Sequence, residues 1–440
     1  MNTLWKVFSI QSMPSAIEVL LHCDTIMSRN SNCHNNFILS QVLTAPASPT
    51  GATLVYSNAT YLYGVLSRGD YIYFFGLSEG VHRYNTVTYE DEWMSSGIGT
   101  DTYYSKAFTV LDNDTVVVIT SGADGYKHFE KQNLVTQERT TIVSNFGYGQ
   151  ICWHWRIVDN KLVFMLINDN PGGGKRSHDV YVYDVDGGGQ LYSNIGSVEG
   201  ADAFLQYQVC QSVVVGTDVF FEYHTGLSDY NGYEETVHII RVSLSSYGVT
   251  VYRPEYNGND IYVFHMTYNP YDSKIYFIGY AYYPSQIRLV GRLTPSGGAV
   301  EWVYTTSGLF SNFAQWPRAL TPSASNVYMV KCNGEVYNVL NTTVVLATIA
   351  SITTSSPYPP DFPQPIDLGN IVDNNNYIWY IENDDVKAKD LDDGSLVVNL
   401  DTNLPAYSGT YGIRQMFISN GKIFTLTSSR PGTNYIYKVT

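Results

Sequence analysis

The chain has 440 residues and a formal net charge of −15, from 25 Lys and Arg against 40 Asp and Glu. This acidic balance argues against a nucleic-acid-binding protein, which needs a basic face. No apolar run approaches the roughly 20 residues of a membrane helix. Charged residues make up only 15 % of the chain and 38 residues are tyrosine, so the sequence predicts a soluble, folded protein rather than a disordered one.

The first 35 residues are predicted to form an extension that precedes the folded domain. Ser15 follows a proline and is followed three residues later by Glu18, which is the capping-box pattern of a helix N-terminus. A short helix is therefore expected from Ser15 to about Ile26. The segment lacks the long apolar core of a secretory signal peptide.

Two of the five cysteines, Cys23 and Cys33, lie in this extension, and each has a histidine beside it. They either pair as a disulfide, remain free thiols or bind a metal together with the histidines, and the sequence leaves the pairing open. Adjacent side chains point in different directions, unlike those of a C-x-x-C hook, so the metal site is disfavoured. Five cysteines are too few for a disulfide-based fold.

From about residue 36 onward, strand-forming Tyr, Val, Ile, Thr and Phe alternate with Gly, Asn, Asp and Ser. One unit recurs about every 50 residues: a turn residue, a variable residue, an aliphatic residue, then an aromatic residue or valine. Its eight copies are Asp70–Tyr73, Asp114–Val117, Asn160–Val163, Thr217–Phe220, Ser273–Tyr276, Ser325–Tyr328, Asn376–Trp379 and Gly421–Phe424. Each copy is interpreted as four short strands, which is typical of a β-propeller blade.

The last copy supplies only three strands, which would leave an open sheet edge. The strand-like run Phe37–Thr44 precedes the first full copy, so it is predicted to complete the eighth blade and close the ring. The sequence therefore predicts an all-β fold, with a single β-propeller domain over residues 36–440. Eight four-stranded blades are expected, or seven if one copy is assigned wrongly.

On these repeats the chain resembles β-propellers of the broad kelch and WD superclass, over about residues 36–440. The resemblance is architectural, because the Trp-Asp blade ends, the double-glycine kelch signature and the sialidase-type turn are missing. The low charge and the abundant Tyr, Asn, Ser and Thr also resemble surface and virion proteins of viruses of hyperthermophilic archaea. This second resemblance rests on composition and implies exposure on a virion or outside the cell.

In a four-stranded meander, the first-to-second and third-to-fourth turns lie at one end of the ring. The second-to-third loops and the links between blades lie at the other end. The long insertions fall in this second group: Asn168–His178 in blade 3, His224–Glu235 in blade 4, Tyr280–Ser285 in blade 5 and Ser351–Pro365 between blades 6 and 7. Elaborated loops on a rigid scaffold are typical of binding surfaces.

Seven aromatic residues in these loops are predicted to form a ligand-binding face. They are Tyr230, Tyr233, Tyr280, Tyr282, Tyr283, Tyr358 and Phe362. Tyrosine combines a flat apolar ring with a hydroxyl group, which suits contacts with glycans or proteins. The alternative interpretation is that tyrosine is simply the preferred strand residue of this chain.

No catalytic residue, cofactor site or metal site is predicted. The nine histidines are scattered and form neither H-x-H nor H-E-x-x-H. Cys152 and His154 alternate with two tryptophans on a predicted innermost strand, where they are too far apart for a Cys–His dyad, so core packing is expected. Asp184–Gly187 and Asp390–Gly394 resemble fragments of calcium loops but lack the downstream glutamate, so turn chemistry is expected.

Three sequons begin at Asn58, Asn113 and Asn341, and they are glycosylation candidates if the protein meets a glycosylation pathway. Near pH 2 most carboxylates are protonated. Only 25 Lys and Arg and nine His then carry charge, so self-repulsion stays low. The composition therefore favours tolerance of acid.

The sequence favours a non-enzymatic structural or attachment protein on a virion or cell surface. It would bind a glycan or a surface protein through the loop-rich face, with other structural subunits of an assembly as further partners. The alternative is an extracellular carbohydrate-active enzyme with a site at the mouth of the propeller channel. An enzyme should gather several acidic or histidine side chains in one pocket, whereas a structural module should present a broad, uncharged face lined by tyrosine.

Overall fold

The computed structural model describes residues 52–58, 62–76, 80–93, 108–121, 126–146, 154–168, 175–201, 212–225, 236–281, 287–306, 315–323, 325–349, 371–373, 375–382, 385–400, 413–419, 422–428 and 434–439. Within these ranges the protein is all-β, and no helix there is long and apolar enough to cross a membrane. Eight four-stranded antiparallel sheets form the blades of a β-propeller. The predicted fold class and the count of eight blades are confirmed. The predicted helix at Ser15 and the Cys23–Cys33 question lie outside the described residues.

The closing strand and the first four blades occupy the N-terminal half. The closing strand is β1 (Ala52–Asn58). Blade 1 contains β2 (Leu62–Arg68), β3 (Tyr71–Gly76), β4 (Gly80–Asn85) and β5 (Asp91–Trp93). Blade 2 contains β6 (Phe108–Val110), β7 (Thr115–Ser121), β8 (Lys127–Asn133) and β9 (Arg139–Phe146). Blade 3 contains β10 (His154–Val158), β11 (Lys161–Asn168), β12 (Lys175–Asp184) and β13 (Gln190–Ala201). Blade 4 contains β14 (Ser212–Val215), β15 (Asp218–Thr225), β16 (Thr236–Ser243) and β17 (Gly248–Tyr252).

The C-terminal half begins with a two-stranded hairpin, β18 (Glu255–Tyr256) and β19 (Asn259–Asp260). Blade 5 contains β20 (Tyr262–Asn269), β21 (Lys274–Ala281), β22 (Ile287–Leu293) and β23 (Glu301–Thr305). Blade 6 contains β24 (Pro317–Pro322), β25 (Val327–Lys331), β26 (Glu335–Asn338) and β27 (Ala347–Thr348). Blade 7 contains β28 (Ile371–Val372), β29 (Tyr377–Glu382), β30 (Asp385–Asp390) and β31 (Leu396–Leu400). Blade 8 contains β32 (Ile413–Ser419), β33 (Lys422–Ser428) and β34 (Asn434–Val439) and is completed by β1.

The ring is closed by an N-terminal strand, as predicted, but not by the predicted one. The closing strand is Ala52–Asn58, which pairs antiparallel with Asn434–Val439 as the outermost strand of blade 8. The assignment to Phe37–Thr44 is therefore wrong, and those residues lie outside the described part. Both segments have strand-like sequences. The pairing with β34, in which Ala52 lies opposite Val439, identifies Ala52–Asn58 as the closing strand.

Each blade buries both of its faces against its neighbours. In six of the eight pairs of neighbouring blades, blades 8 and 1 among them, the first strands lie side by side along the inner ring. Seven hydrophobic clusters lie between consecutive blades, from the pair 1 and 2 to the pair 7 and 8. Middle strands such as Val327–Lys331 are buried at every position. Because both faces are covered, these strands read as continuous apolar runs without alternation, as in other doubly covered sheets.

Five of the third-to-fourth turns share one backbone pattern. Each opens on a short polar residue, and the residue four positions later takes a positive φ, as at Tyr89, Gln137, Gly188, Tyr247 and Gly394. The second residue of each turn donates its N–H to a carbonyl of the first-to-second turn, at 2.6 to 3.1 Å. These hydrogen bonds connect the two short turns of each blade. We call this end of the ring the short-turn end, and the same local structure is repeated around it.

At the other end of the ring, which we call the loop end, the loops of blades 3 and 4 are shorter than the sequence predicted. In blade 3 the strands extend to Asn168 and resume at Lys175, so the loop is 169–174 rather than Asn168–His178. In blade 4 it shortens to 226–235 for the same reason. Polar residues such as those of 175–178 belong to strands here, because ladder hydrogen bonds continue beyond the apolar core. The fourth strand of blade 3, predicted to be short, spans twelve residues.

Candidate functional site

One of the seven predicted ligand-binding residues lies within the described chain. Tyr280 is a strand residue near the loop end of blade 5, where it pairs with Tyr262 and Arg288 rather than lying in a loop. Its placement in a Tyr280–Ser285 loop is therefore wrong, since β21 extends to Ala281. The other six lie outside the described residues: Tyr230, Tyr233, Tyr282, Tyr283, Tyr358 and Phe362.

Tyr280 belongs to an aromatic and cationic cluster at the loop end of blades 5 and 6. We call Tyr280, Arg288, Trp316 and Lys331 the loop-end platform. The Arg288 guanidinium lies 4.6 Å from the Trp316 ring centroid and 5.8 Å from that of Tyr280. Its Nη1 donates to the carbonyl oxygen of Pro317 at 3.4 Å, which bridges from blade 5 to blade 6. Arg288 and Trp316 are only 5 % and 1 % exposed, so this cation is held almost entirely by rings and carbonyl oxygen.

Lys331 is the second buried cation of the platform. Its Nζ donates to Gln315 Oε1 at 2.7 Å and lies 3.9 Å from the centre of the Tyr337 ring. Tyr337 in turn donates its hydroxyl to Glu335 Oε2 at 2.6 Å, and that carboxylate lies 3.8 Å from Lys331. Burial thus leaves Lys331 with one distant carboxylate and several neutral partners.

Desolvation dominates the electrostatics of the platform. It lowers the pKa of Arg288 to about 10 and also lowers the pKa of Lys331, with the nearby Glu335 carboxylate acting in the opposite direction. Burial raises the pKa of Tyr304, which stacks near Lys331, to about 12. It also raises the pKa of the buried Cys332 thiol, against the attraction of Arg288 and Arg318. Arg288 stays charged at neutral pH, and Cys332 stays a protonated thiol, so the cluster supplies positive charge and flat rings rather than a nucleophile.

The two suspected calcium fragments are turns, as expected. Asp184 Oδ1 accepts the backbone N–H groups of Asp186 and Gly187 at 2.9 and 2.6 Å, and Asp390 Oδ1 accepts that of Asp392 at 2.7 Å. These are Asx-turn contacts. Within the described residues no three His, Cys, Asp or Glu side chains lie close enough to hold a metal ion.

The suspected Cys–His strand contributes to the core where it is described. Trp155 is buried and packs edge-on against Phe129 of blade 2, with ring centroids 5.3 Å apart. Cys152 and Trp153 lie outside the described residues, as do Cys23, Cys33 and Cys210. The expected core packing therefore holds for Trp155.

Two of the three sequon asparagines are exposed at the short-turn end. Asn113 lies in the first-to-second turn of blade 2, and Asn341 in the third-to-fourth turn of blade 6. Thr343 donates its hydroxyl to Asn341 Oδ1 at 2.7 Å. Asn58 is the last residue of the closing strand. Glycosylation at these positions stays a prediction.

Sequence reasoning missed a contact that ties neighbouring blades at the short-turn end. Lys161 of blade 3 donates to the carbonyl oxygen of Leu244 in blade 4 at 3.1 Å and lies 5.2 Å from the Tyr247 ring centroid. Lys422 of blade 8 makes the same contacts to Thr86, at 2.8 Å, and to Tyr89, at 5.0 Å, in blade 1. We call this arrangement the Lys–Tyr clasp.

The clasp has a signal in the sequence. Its lysine is the first residue of a second strand, and its tyrosine comes four positions after the polar residue that opens the next blade's third-to-fourth turn. Blades 3 and 7 have glycine at the tyrosine position, and no lysine begins the second strand of the blade before them. Aligning the turns, as well as the second strands, would have revealed this pairing.

Comparison with known proteins supports the fold alone. No protein-family model matches the sequence, and no curated protein matches it significantly. Among solved structures, the computationally designed Ika8 protein is 12 % identical and matches with a TM-score of 0.52, covering 89 % of this chain and 100 % of that one. Sqt1 from Saccharomyces cerevisiae is 10 % identical, with a TM-score of 0.48 over 89 % and 99 % of the two chains.

A third similar structure is the β-propeller domain of the Trilobed protease from Pyrococcus furiosus, described as having an open velcro topology. It is 8 % identical, with a TM-score of 0.42 over 87 % of this chain and 94 % of that one. At such identities, similarity extends to architecture and not to activity. The function must therefore be argued from the chain's own residues.

Proposed function

We propose that this protein is a non-enzymatic structural or attachment protein, exposed on a cell or virion surface, that binds a glycan or a protein through its loop end. The observation that carries the proposal is the difference between the two ends of the ring. At the short-turn end, polar side chains such as Asn85, Asn133 and Asp184 are engaged by their own turns. The longest connections between strands, such as 94–107, 226–235 and 401–412, belong to the loop end.

The loop-end platform supports this assignment. Arg288, Lys331 and Trp316 lie beneath the loop end of blades 5 and 6, where their rings and charges are locked by packing and hydrogen bonds. This buried cluster fixes the strand ends from which the loops of blades 5 and 6 leave, and a preorganised scaffold lowers the entropy cost when a partner binds. Uncharged glycans and protein surfaces are the ligand classes that suit the tyrosines in the sequence of these connections.

A glycan and host-surface binding screen, run beside size-exclusion chromatography with light scattering, tests the proposal. The sharpest variant replaces residues 226–235 with Asn-Gly. Thr225 and Thr236 are paired across the ladder, so a two-residue hairpin turn can join them without a change of register. We expect the shortened protein to fold and to lose binding by at least about tenfold, since hot-spot residues each contribute more than about 1.4 kcal/mol.

The matched control is Tyr271→Ser at the opposite end. Tyr271 is 75 % exposed in the first-to-second turn of blade 5, so this change removes an exposed tyrosine without touching the loop end. Binding that survives Tyr271→Ser but not the loop replacement supports the proposal. Binding that both variants keep, or hydrolysis or cleavage of a glycan by the wild-type protein, contradicts it.

A further inference from the structure

The seam between blades 8 and 1 brings two lysines onto one tyrosine. Tyr89 of blade 1 accepts a hydrogen bond on its phenolic oxygen from Lys422 Nζ at 3.2 Å and another from Lys438 Nζ at 2.8 Å. Both ammonium groups also lie close to the ring, at 5.0 and 4.6 Å from its centroid. Tyr89 is 47 % exposed, so this convergence of positive charge is open to solvent.

No carboxylate of the described residues neutralises this pair. Among the residues that the structure describes, neither Lys422 nor Lys438 forms an ion pair, whereas lysines elsewhere such as Lys131, Lys274 and Lys387 each do. Lys422 also donates to the carbonyl oxygen of Thr86, at 2.8 Å. Two like charges well within a Debye length repel each other, so the seam favours a negative charge between them. This is unusual in a chain of net charge −15.

The remaining donors suit an oxyanion. An ammonium group has three N–H donors, so two remain on Lys438 and one on Lys422, and the Tyr89 hydroxyl can donate as well. These donors come from three side chains grouped around one exposed point. A tetrahedral anion with several acceptor oxygens can take several of them at once, and bonds of this charged kind are the strong ones.

We propose that Tyr89, Lys422 and Lys438 bind a tetrahedral oxyanion, a sulfate or phosphate group, at the seam between blades 8 and 1. The site lies at the short-turn end and is independent of the ligand-binding face proposed above. In keeping with it, hydrogen bonds from Lys438 and Lys422 lower the pKa of the Tyr89 phenol, because they favour negative charge on that oxygen.

The molecule contains its own control for this site. Tyr247 and Lys161 repeat the clasp between blades 3 and 4, with the same carbonyl contact and the same positive φ at the tyrosine. That clasp has one lysine, whereas the seam has a second, Lys438. If the second lysine makes the site, only the seam should bind the anion.

The test is calorimetric titration of the full chain with sodium sulfate and with sodium phosphate, at constant ionic strength set with chloride. We expect saturable binding of one anion per chain. Lys438→Gln keeps the clasp of Lys422 and should weaken binding by about tenfold or more, since it removes a charged hydrogen-bond donor. Tyr89→Phe should also weaken binding, and Lys161→Gln should leave it unchanged. Near-ultraviolet circular dichroism verifies that each variant is folded.

Dextran sulfate and uncharged dextran distinguish the source of the anion. Binding of dextran sulfate that is lost in Lys438→Gln assigns the group to a sulfated polymer, and binding of the inorganic ions alone assigns a free ion. Either result supports the proposal. Absence of saturable binding, or equal affinity in the wild type and Lys438→Gln, overturns it.

Discussion

The joint between blades 5 and 6 and the seam between blades 8 and 1 differ in the polar contacts that connect neighbouring blades. At the first joint the contacts are buried: His265 Nε2 of blade 5 lies 3.1 Å from the carbonyl oxygen and 3.4 Å from the backbone nitrogen of Leu320 in blade 6, and Trp316 packs beneath Arg288. The seam also has an exposed contact, the clasp of Lys422 and Tyr89.

The difference shows what each joint can respond to. A buried joint gains most of its stability from the burial of apolar surface, and salt has little effect on it. Its stability falls when a buried neutral group has to bind a proton. An exposed contact between ammonium groups and a phenol adds little stability and is screened by ions. The first joint should therefore respond to pH and the second to ions.

The largest effect should come from removing the ring at the buried joint. Trp316→Ala is expected to lower the free energy of unfolding by about 3–5 kcal/mol, because it empties the space beneath Arg288 in a packed interior. Urea denaturation measures it. The exposed Tyr271→Ala is the control and should cost less than about 0.5 kcal/mol. A loss below about 1 kcal/mol for Trp316→Ala would mean that this joint is not what holds the two blades together.

The next largest effect is expected in the pH dependence of folding stability. Burial lowers the pKa of His265 to about 4, although its bond to Leu320 acts in the opposite direction. Between pH 6.5 and 4 the unfolded chain then binds a proton that the folded chain does not. Folding stability should therefore fall by up to about 3 kcal/mol as the pH falls through this window. This expectation runs against the acid tolerance that the composition favours.

His265→Gln tests this point, because it keeps a hydrogen-bond donor and does not titrate. Urea denaturation at pH 7, 5.5 and 4 should show a smaller loss of stability in the variant than in the wild type. Parallel profiles for wild type and His265→Gln would exclude this histidine as the source.

The smallest effect is expected at the clasps. Lys422→Gln and Lys161→Gln should each lower the free energy of unfolding by about 0.5–1 kcal/mol, the usual range of an exposed cation–π contact. In 1 M sodium chloride the difference from wild type should shrink, since the Debye length falls to about 3 Å. Unfolding curves at low and high salt measure this. A loss of several kcal/mol at the seam alone would show that the clasp, rather than the closing strand, keeps the ring closed.

The sequence predicted the repeat because it is local. The unit at Asp70–Tyr73 and its copies mark a short turn and the strand after it, and burial on both faces makes those strands uniformly apolar. The closing strand was misplaced because Phe37–Thr44 and Ala52–Asn58 have equal strand character. Only pairing with a segment at the far end of the chain distinguishes them.

The platform could not be predicted for a related reason. Arg288 and Lys331 look like surface residues in the sequence, and their burial depends on Trp316 and Tyr337, which reach them through the fold. The clasp is easier to predict than the platform and harder than the repeat. Its lysine and tyrosine stand at fixed positions in two successive repeats, so the sequence pattern is periodic although the two residues are far apart in the chain.

The pairing of Ala52–Asn58 with Asn434–Val439 also governs the order of folding. Each of the other seven blades contains all four of its strands in one stretch of chain and can form as soon as that stretch emerges during synthesis. Blade 8 must wait for a contact across nearly the whole described chain, and the entropy of closing so long a loop makes this the slowest step. Until then the edge of β34 is unpaired, so chaperone dependence and misassembly between chains should arise at this blade.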